Sequence, residues 1–184
     1  MEEKDQVIEE LTGMKTRIID SLSNEFQNSD LSMEVDQTTG AIRFSSGVFF
    51  GTGSASVSEK GREHLEEFIP KYIDVLLSEN FKDHVSQIIV EGHTDQKGTY
   101  LFNLDLSQDR SLSVVKEIFS KDFPEFQHKG ELRGMITSNG RSFSEPIYDE
   151  NNEVDSDKSR RVEFKFRLKD EDLIKEIQNM VSDK

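Results

Sequence analysis

The stretch that most restricts the fold is residues 88–110, I-I-V-E-G-H-T-D-Q-K-G-T-Y-L-F-N-L-D-L-S-Q-D-R. Ile88, Ile89 and Val90 form a continuous apolar run of the kind found in a buried strand. Gly92 and a polar loop containing Gly98 end that run, and a helical pattern follows. Chemistry in such a unit belongs at the strand's exit. Asp95 lies in the loop and Arg110 fifteen positions later on the helix, so a carboxylate and a guanidinium can face one small space, which suits a zwitterion. At about 100° per residue, Asn103, Leu106 and Arg110 share one helix face, while Leu104, Val115, Ile118 and Phe119 share roughly the opposite one. The second face is expected in the core, and the first is expected to line a site beside Asp95 and Thr94. Spacing alone leaves the alternative of a surface ion pair, worth about 0 to 1 kcal/mol.

Glu91-Gly-His-Thr-Asp95, Asn103, Leu106-Ser-Gln-Asp-Arg110 and Ser159-Arg160-Arg161 together resemble the OmpA C-terminal-like family. This is the peptidoglycan-binding module of outer-membrane porins, peptidoglycan-associated lipoproteins and MotB-type flagellar stator subunits. The resemblance runs from about residue 41 to 168 and is weakest between 135 and 146. It implies an α+β fold with a βαβαβ core, its mixed sheet packed against helices; periodicity does not supply that strand order.

For function, the resemblance implies noncatalytic binding of diaminopimelate in the peptidoglycan stem peptide. Asp95 would take its ammonium, and Arg110 would hold its carboxylate in a bidentate fork that lysine does not reproduce. Asn103 would bond the peptide backbone, Leu106 would cover methylenes, Thr94 would add a hydroxyl, and Phe50 would pack alongside. Each of these four reads equally well as a helix-start or core residue. Arg160 and Arg161 match the family's Asn-Arg-Arg with Ser159 in place of Asn; one arginine is expected at the site and the other in a salt bridge, and Arg161 is favoured for the site. Where the family carries Gly-Tyr-Gly-Glu before a proline, this chain has Ser138-Asn-Gly-Arg-Ser-Phe-Ser-Glu-Pro146, so contacts from that loop are not carried over. The implied setting is the extracytoplasmic side of a cell envelope. There the chain would tie a membrane protein, such as a stator-like ion-channel partner, to the wall through an anchor outside this sequence.

Totals narrow the alternatives. A chain of 184 residues with 33% hydrophobic content suits one domain with solvated arms, divided here into a helical arm (1–30), the main domain (31–168) and a C-terminal helix (169–184). It has no run of about 18 apolar residues, and its acidic start differs from a basic-headed signal peptide. Without cysteine there are no disulfides and no thiolate chemistry. A net charge of −14 opposes binding to nucleic acid or anionic lipid. His64, His84, His93 and His128 lack metal-ligand spacing, and no Gly-x-Ser-x-Gly elbow occurs. No enzyme, metal or cofactor is expected, and His93 reads as a structural histidine.

Along the chain, Val7, Leu11, Met14, Ile18, Leu22 and Phe26 recur at steps of three or four. They form the seam of an amphipathic helix that either lies on its own domain or joins two copies as a homodimeric stalk. Residues 32–44 read as a hairpin. Ser58 is expected to cap a helix with an apolar stripe at Leu65, Phe68, Ile69, Tyr72, Ile73 and Leu76, which Pro70 kinks or interrupts. Strands are expected at 87–91 and 135–137, a long surface loop over 138–158, and a half-buried strand over 161–168. Acidic residues 170–172 open a last helix whose stripe, Leu173, Ile174, Ile177 and Val181, can pair with the first. The rival reading is a structural module whose pocket is idle and whose helices dimerise or hold a protein partner.

Overall fold

The computed structural model describes residues 2–169 and 171–182, without the side chains of Asp172, Leu173, Ile177, Val181 and Ser182. The chain opens with helix α1 (Glu2–Phe26), followed by strands β1 (Met33–Val35) and β2 (Ile42–Ser45) and a short helix α2 (Ser46–Phe49). Helix α3 (Glu59–Leu76), strand β3 (Val85–His93), helix α4 (Tyr100–Ile118), helix α5 (Lys129–Leu132) and strand β4 (Ile136–Gly140) come next. Helix α6 (Ser156–Ser159), strand β5 (Arg161–Leu168) and helix α7 (Glu171–Ser182) complete the order. The sheet runs β1-β2-β5-β3-β4, with β3 and β4 parallel and every other pair antiparallel. The architecture is thus the α+β fold with a mixed sheet that the resemblance implies.

Local chemistry accounts for the elements. Asp36 closes the β1–β2 turn by accepting the N–H groups of Thr38 and Thr39 at 2.9 and 2.8 Å. Ser58 caps α3, its hydroxyl accepting the Gly61 N–H at 3.0 Å, a contact worth about 1 kcal/mol. Pro70 stays inside α3 without interrupting it. The carbonyl that loses its partner belongs to Glu66, which is only half-buried, so water can serve it.

The core is aromatic. Phe44, Phe68 and Phe164 pack with ring centroids 4.9 Å apart on either side of Phe68, and Tyr72 stacks on Phe68 at 5.0 Å. Helix α1 joins this core in its second half: Met14, Ile18, Ile19, Leu22 and Phe26 are buried, and the Phe26 ring lies 5.2 Å from Phe68. The first three turns stand away from it, with Val7 exposed. At the other end Lys15 pairs with Glu171 at 3.0 Å, and Leu11 and Ile174 line one groove between α1 and α7. Of the expected α7 stripe, Leu173, Ile177 and Val181 lie outside the described side chains.

Three expectations need correction. Strand β5 is not half-buried: Val162, Phe164, Phe166 and Leu168 enter the core, yet Arg161 and Glu163 on the opposite face are also buried. The strand is central between β2 and β3, and its charges find partners there. The segment 138–158 is not all surface loop. The β4 ladder runs to Gly140, Thr94 N–H donates to the Ser142 carbonyl at 2.9 Å, and Ser142 is fully buried. Finally, α4 does not carry its site residues and its core residues on opposite faces. Its buried stripe is Asn103, Ser107, Arg110, Ser111, Val114 and Ile118, while Leu104, Leu106 and Val115 are half-buried. A Cβ on Gly92 would stand 2.3 Å from the Ser107 carbonyl oxygen, and one on Gly140 would stand 2.5 Å from the Gln108 nitrogen. This close approach of helix to sheet is what buries small serines beside Asn103 and Arg110.

Candidate functional site

The site forms where β3 gives way to α4. Asp95 is buried; one carboxylate oxygen accepts the Lys97 N–H at 3.0 Å and the other accepts from Arg160 Nη1. Burial pushes its pKa up, but the Lys97 N–H and the Arg160 guanidinium outweigh that, so the carboxyl sits below its usual range. The loop is closed from within. Thr99 caps α4 by accepting the Phe102 N–H at 3.1 Å. Asn103 donates its amide to the carbonyls of Lys97 at 2.7 Å and Thr99 at 3.0 Å, and Gly98 takes the left-handed conformation (φ 88°). Thr94 is buried and donates its hydroxyl to the Asp95 carbonyl at 3.0 Å. Asn103 and Thr94 therefore hold the loop that presents Asp95.

Two turns along α4, Arg110 is 6% exposed. Its Nε donates to the Ser54 carbonyl at 2.9 Å, and its guanidinium carbon lies 5.2 Å from the centroid of the Phe50 ring. Among the described residues, no acceptor meets its two terminal nitrogens. Burial, then the charge of Arg160, holds its pKa below the ordinary value, while the Asp95 carboxylate acts in the opposite sense. Phe50 is buried in the core cluster and also forms the floor under this guanidinium. Leu106 is half-buried on the same helix.

The arginine pair is placed opposite to the expectation. Arg161 is 5% exposed and faces away from Asp95, donating to Glu163 at 2.7 Å and to the carbonyls of Glu145 and Ser159. Arg160 instead bridges Asp95 and Asp157. The reason lies in the strand boundary. Arg161 is already paired in β5, with its side chain on the face of Glu163, whereas Arg160 caps α6 and its side chain is free of the sheet. Ser159, standing where the family has Asn, is buried and accepts the Ile147 N–H at 3.0 Å, which ties down the preceding loop.

Behind the site, the outer face of the sheet carries a charge network. His93 Nε2 lies 2.9 Å from Glu91 Oε1. Lys165 Nζ donates to the same oxygen at 2.7 Å, and Glu163 accepts from Arg43 at 2.9 Å. Burial raises the Glu91 pKa, but His93 and Lys165 overcome it and hold the carboxyl at about 2. Glu91, His93 and Glu145 are grouped closely enough to hold a cation. The Lys165 ammonium and the guanidiniums of Arg161 and Arg43 already balance Glu91 and Glu163, and the Glu145 carboxylate pairs with Arg141 at 2.6 Å. The network fixes His93, and with it the direction in which the chain leaves β3.

The mouth has features that the site pattern did not contain: Ser54, which orients Arg110 through a carbonyl, and the exposed Tyr100, Leu101 and Phe102 at the start of α4. The Tyr100 ring lies 5.7 Å from Phe143. A backbone carbonyl leaves no mark in side-chain pattern, whereas three successive large side chains after a capping threonine do mark an exposed first turn. Among the described residues no helix is long and apolar enough to cross a membrane.

Comparison with known proteins identifies the family and the fold. Over 161 residues the chain is 33% identical to the Zorya protein ZorB of Escherichia coli, covering 81% of this chain and 67% of that protein. Among solved structures, a putative MotB-like protein from Desulfovibrio vulgaris superposes with a TM-score of 0.58 at 17% identity, covering 90% of this chain and 96% of that one. The cell wall anchor of the T6SS from Pseudomonas aeruginosa gives a TM-score of 0.53 at 21% identity, covering 84% and 99%. The OmpA family profile matches residues 49–160, which contain Asp95, Asn103, Arg110 and Arg160, and the chain belongs to the OmpA family.

Proposed function

We propose that the cleft between the β3–α4 loop and α4 binds the diaminopimelate residue of a peptidoglycan stem peptide, without catalysis. Bound in this way, the domain holds an envelope assembly to the cell wall on the extracytoplasmic side. One observation carries the reading: Arg110 is buried with the end of its guanidinium unpaired, beside a buried carboxylate that is already ionised. A guanidinium costs several kcal/mol to desolvate, and a protein carboxylate would normally accompany it. Here the terminal nitrogens, not sealed from solvent, are open to an anion from outside. A ligand carboxylate fits the two terminal N–H edges in the bidentate manner, and the ligand's ammonium can use the remaining lone pairs of Asp95. Membership of the OmpA family and the fold shared with a cell wall anchor support the same reading.

A second surface supports a homodimer. The first three turns of α1 leave Val7 exposed and Leu11 half-buried on an otherwise charged helix, and a matching helix from another copy would cover them. Such a dimer suits a membrane-attached partner, such as an ion-channel subunit, held at two points on the wall.

Sedimentation with purified sacculi tests the ligand assignment. Wild-type protein should pellet with the sacculi, while Asp95→Ala and Arg110→Ala should stay in the supernatant with melting temperatures within about 5 °C of wild type, a shift of roughly 1 to 2 kcal/mol. Full retention of both variants would refute the assignment, as would loss of retention that merely follows loss of folding.

A further inference from the structure

One residue outside the cleft ties its two sides together. Ser142 is fully buried, and each of its polar groups reaches a different segment. Its carbonyl accepts the N–H of Thr94, the residue before Asp95, at 2.9 Å. Its hydroxyl donates to the carbonyl of Tyr100, in the first turn of α4, at 2.8 Å. Its N–H donates to Ser107 Oγ, one turn ahead of Arg110, at 3.0 Å. Its neighbours grip the same two sides: Arg141 N–H donates to the Gly92 carbonyl at 2.9 Å, and the Phe143 ring lies 5.7 Å from that of Tyr100.

Ser142 does this in the left-handed conformation, φ 52°, which glycine adopts freely and a residue with a Cβ resists. His128 and Asn152 also have positive φ, but neither is buried. A glycine at 142 would make the same two backbone bonds without strain; what it lacks is the hydroxyl. Strain kept at a fully buried residue needs a compensating gain, and the bond to Tyr100 supplies it. We infer that Ser142 is a positioning residue whose hydroxyl latches the start of α4 to the segment that carries Thr94, and so sets Asp95 against Arg110 before a ligand arrives. The inference rests on the cleft being a stem-peptide site and adds the residue that holds its walls in register. This is the stretch in which the chain departs from the Gly-Tyr-Gly-Glu of its family, so the family pattern does not supply the latch. Without the hydroxyl the first turn of α4 can part from the loop, and apparent affinity falls with the population of the competent arrangement.

Calorimetry with a soluble stem tetrapeptide containing diaminopimelate, on wild type, Ser142→Gly and Ser142→Ala, tests this. Both substitutions remove the hydroxyl, but glycine relaxes the left-handed backbone and alanine keeps it strained. The two variants should therefore lose affinity alike, by about tenfold, although Ser142→Gly melts at the higher temperature. Amide exchange at Thr94 should quicken in both, a readout of the loosened wall that needs no ligand. A serine that only stabilised the fold would make affinity follow stability. Loss of binding confined to Ser142→Ala would therefore overturn the inference, as would affinity within about twofold of wild type in both variants, or unchanged exchange at Thr94. Should Ser142→Ala fail to fold, Ser142→Gly decides alone, because its backbone is unstrained there. Failure of the peptide to bind wild-type protein at millimolar concentration would instead overturn the stem-peptide reading, and the role of Ser142 with it.

Discussion

Gly92→Ala should be among the most damaging single changes in this chain, although it adds only one methyl group. The new Cβ would lie 2.3 Å from the Ser107 carbonyl oxygen, 3.0 Å from its carbonyl carbon and 3.2 Å from its Cα. All three are backbone atoms, so no rotamer change relieves the clash. Ordinary contact begins near 3.4 Å, so α4 has to retreat from β3 by about 1 Å. Two hydrogen bonds at the same level would stretch beyond useful length: Ser142 N–H to Ser107 Oγ at 3.0 Å, and Gly140 N–H to Gln108 Oε1 at 2.9 Å. Overpacking costs about 1 to 3 kcal/mol and each lost bond about 1, for a total of about 3 to 5 kcal/mol and a fall in melting temperature of roughly 10 °C. Urea denaturation followed by circular dichroism measures the difference. The control is Gly13→Ala, where nothing lies within 4 Å of the added Cβ and helix propensity predicts a gain of up to about 1 kcal/mol. A Gly92→Ala protein within about 0.5 kcal/mol of wild type would refute the close-approach argument.

Two further outcomes follow from the charge network and from α1. Because the folded pKa of Glu91 is about 2 against an ordinary 4.5, its contribution is complete above pH 4.5 and disappears as pH falls through 2. At about 1.4 kcal/mol per pH unit the gap amounts to about 3 kcal/mol, so the stability difference between wild type and Glu91→Gln should shrink by about that amount between pH 6 and pH 2. A difference that stays constant with pH would exclude this account. Sedimentation velocity should show a concentration-dependent dimer that removal of residues 1–12 abolishes, since α1 is buried only from Met14 onward. A monomer in both proteins would remove the dimer proposal.

The parts of the fold visible in the sequence were those written in local apolar pattern. The run Ile88–Val90, the cap at Ser58 and the alternation of Val162, Phe164 and Phe166 each specify their own element, and each is found where the pattern puts it. What local pattern misses is burial without hydrophobicity. Ser107 and Ser111 are fully buried because glycines in β3 and β4 admit the helix, and a periodicity that counts apolar residues assigns that face to solvent. The charges of β5 are hidden for a related reason: Arg43 and Glu163 are 120 residues apart in sequence, and nothing near either marks the pairing. The exchange of roles between Arg160 and Arg161 turns on facing: β5 begins at Arg161, as the alternation puts it, but alternation does not say which of the two side chains meets the site.

The same division explains why Asp95 and Arg110 face a common space without pairing. Asp95 is held by its own loop and by Arg160, with the Glu91–His93–Lys165 network fixing the strand behind it. Arg110 is held by Ser54 and the Phe50 ring. Each is therefore positioned by contacts that do not involve the other, and neither has to move to form a site. A cation over an aromatic face recovers about 0.5 to 2 kcal/mol, less than the several kcal/mol that desolvating a guanidinium costs. Arg110 in the free protein is therefore compensated by Ser54 and Phe50 on its buried side only, with its terminal nitrogens left to water. A ligand carboxylate that enters the fork removes that deficit without a reorganisation cost to the protein, which is how preorganisation contributes affinity. Replacing Arg110 with an apolar residue of similar volume should accordingly leave stability unchanged or raise it, even as retention on the wall is lost.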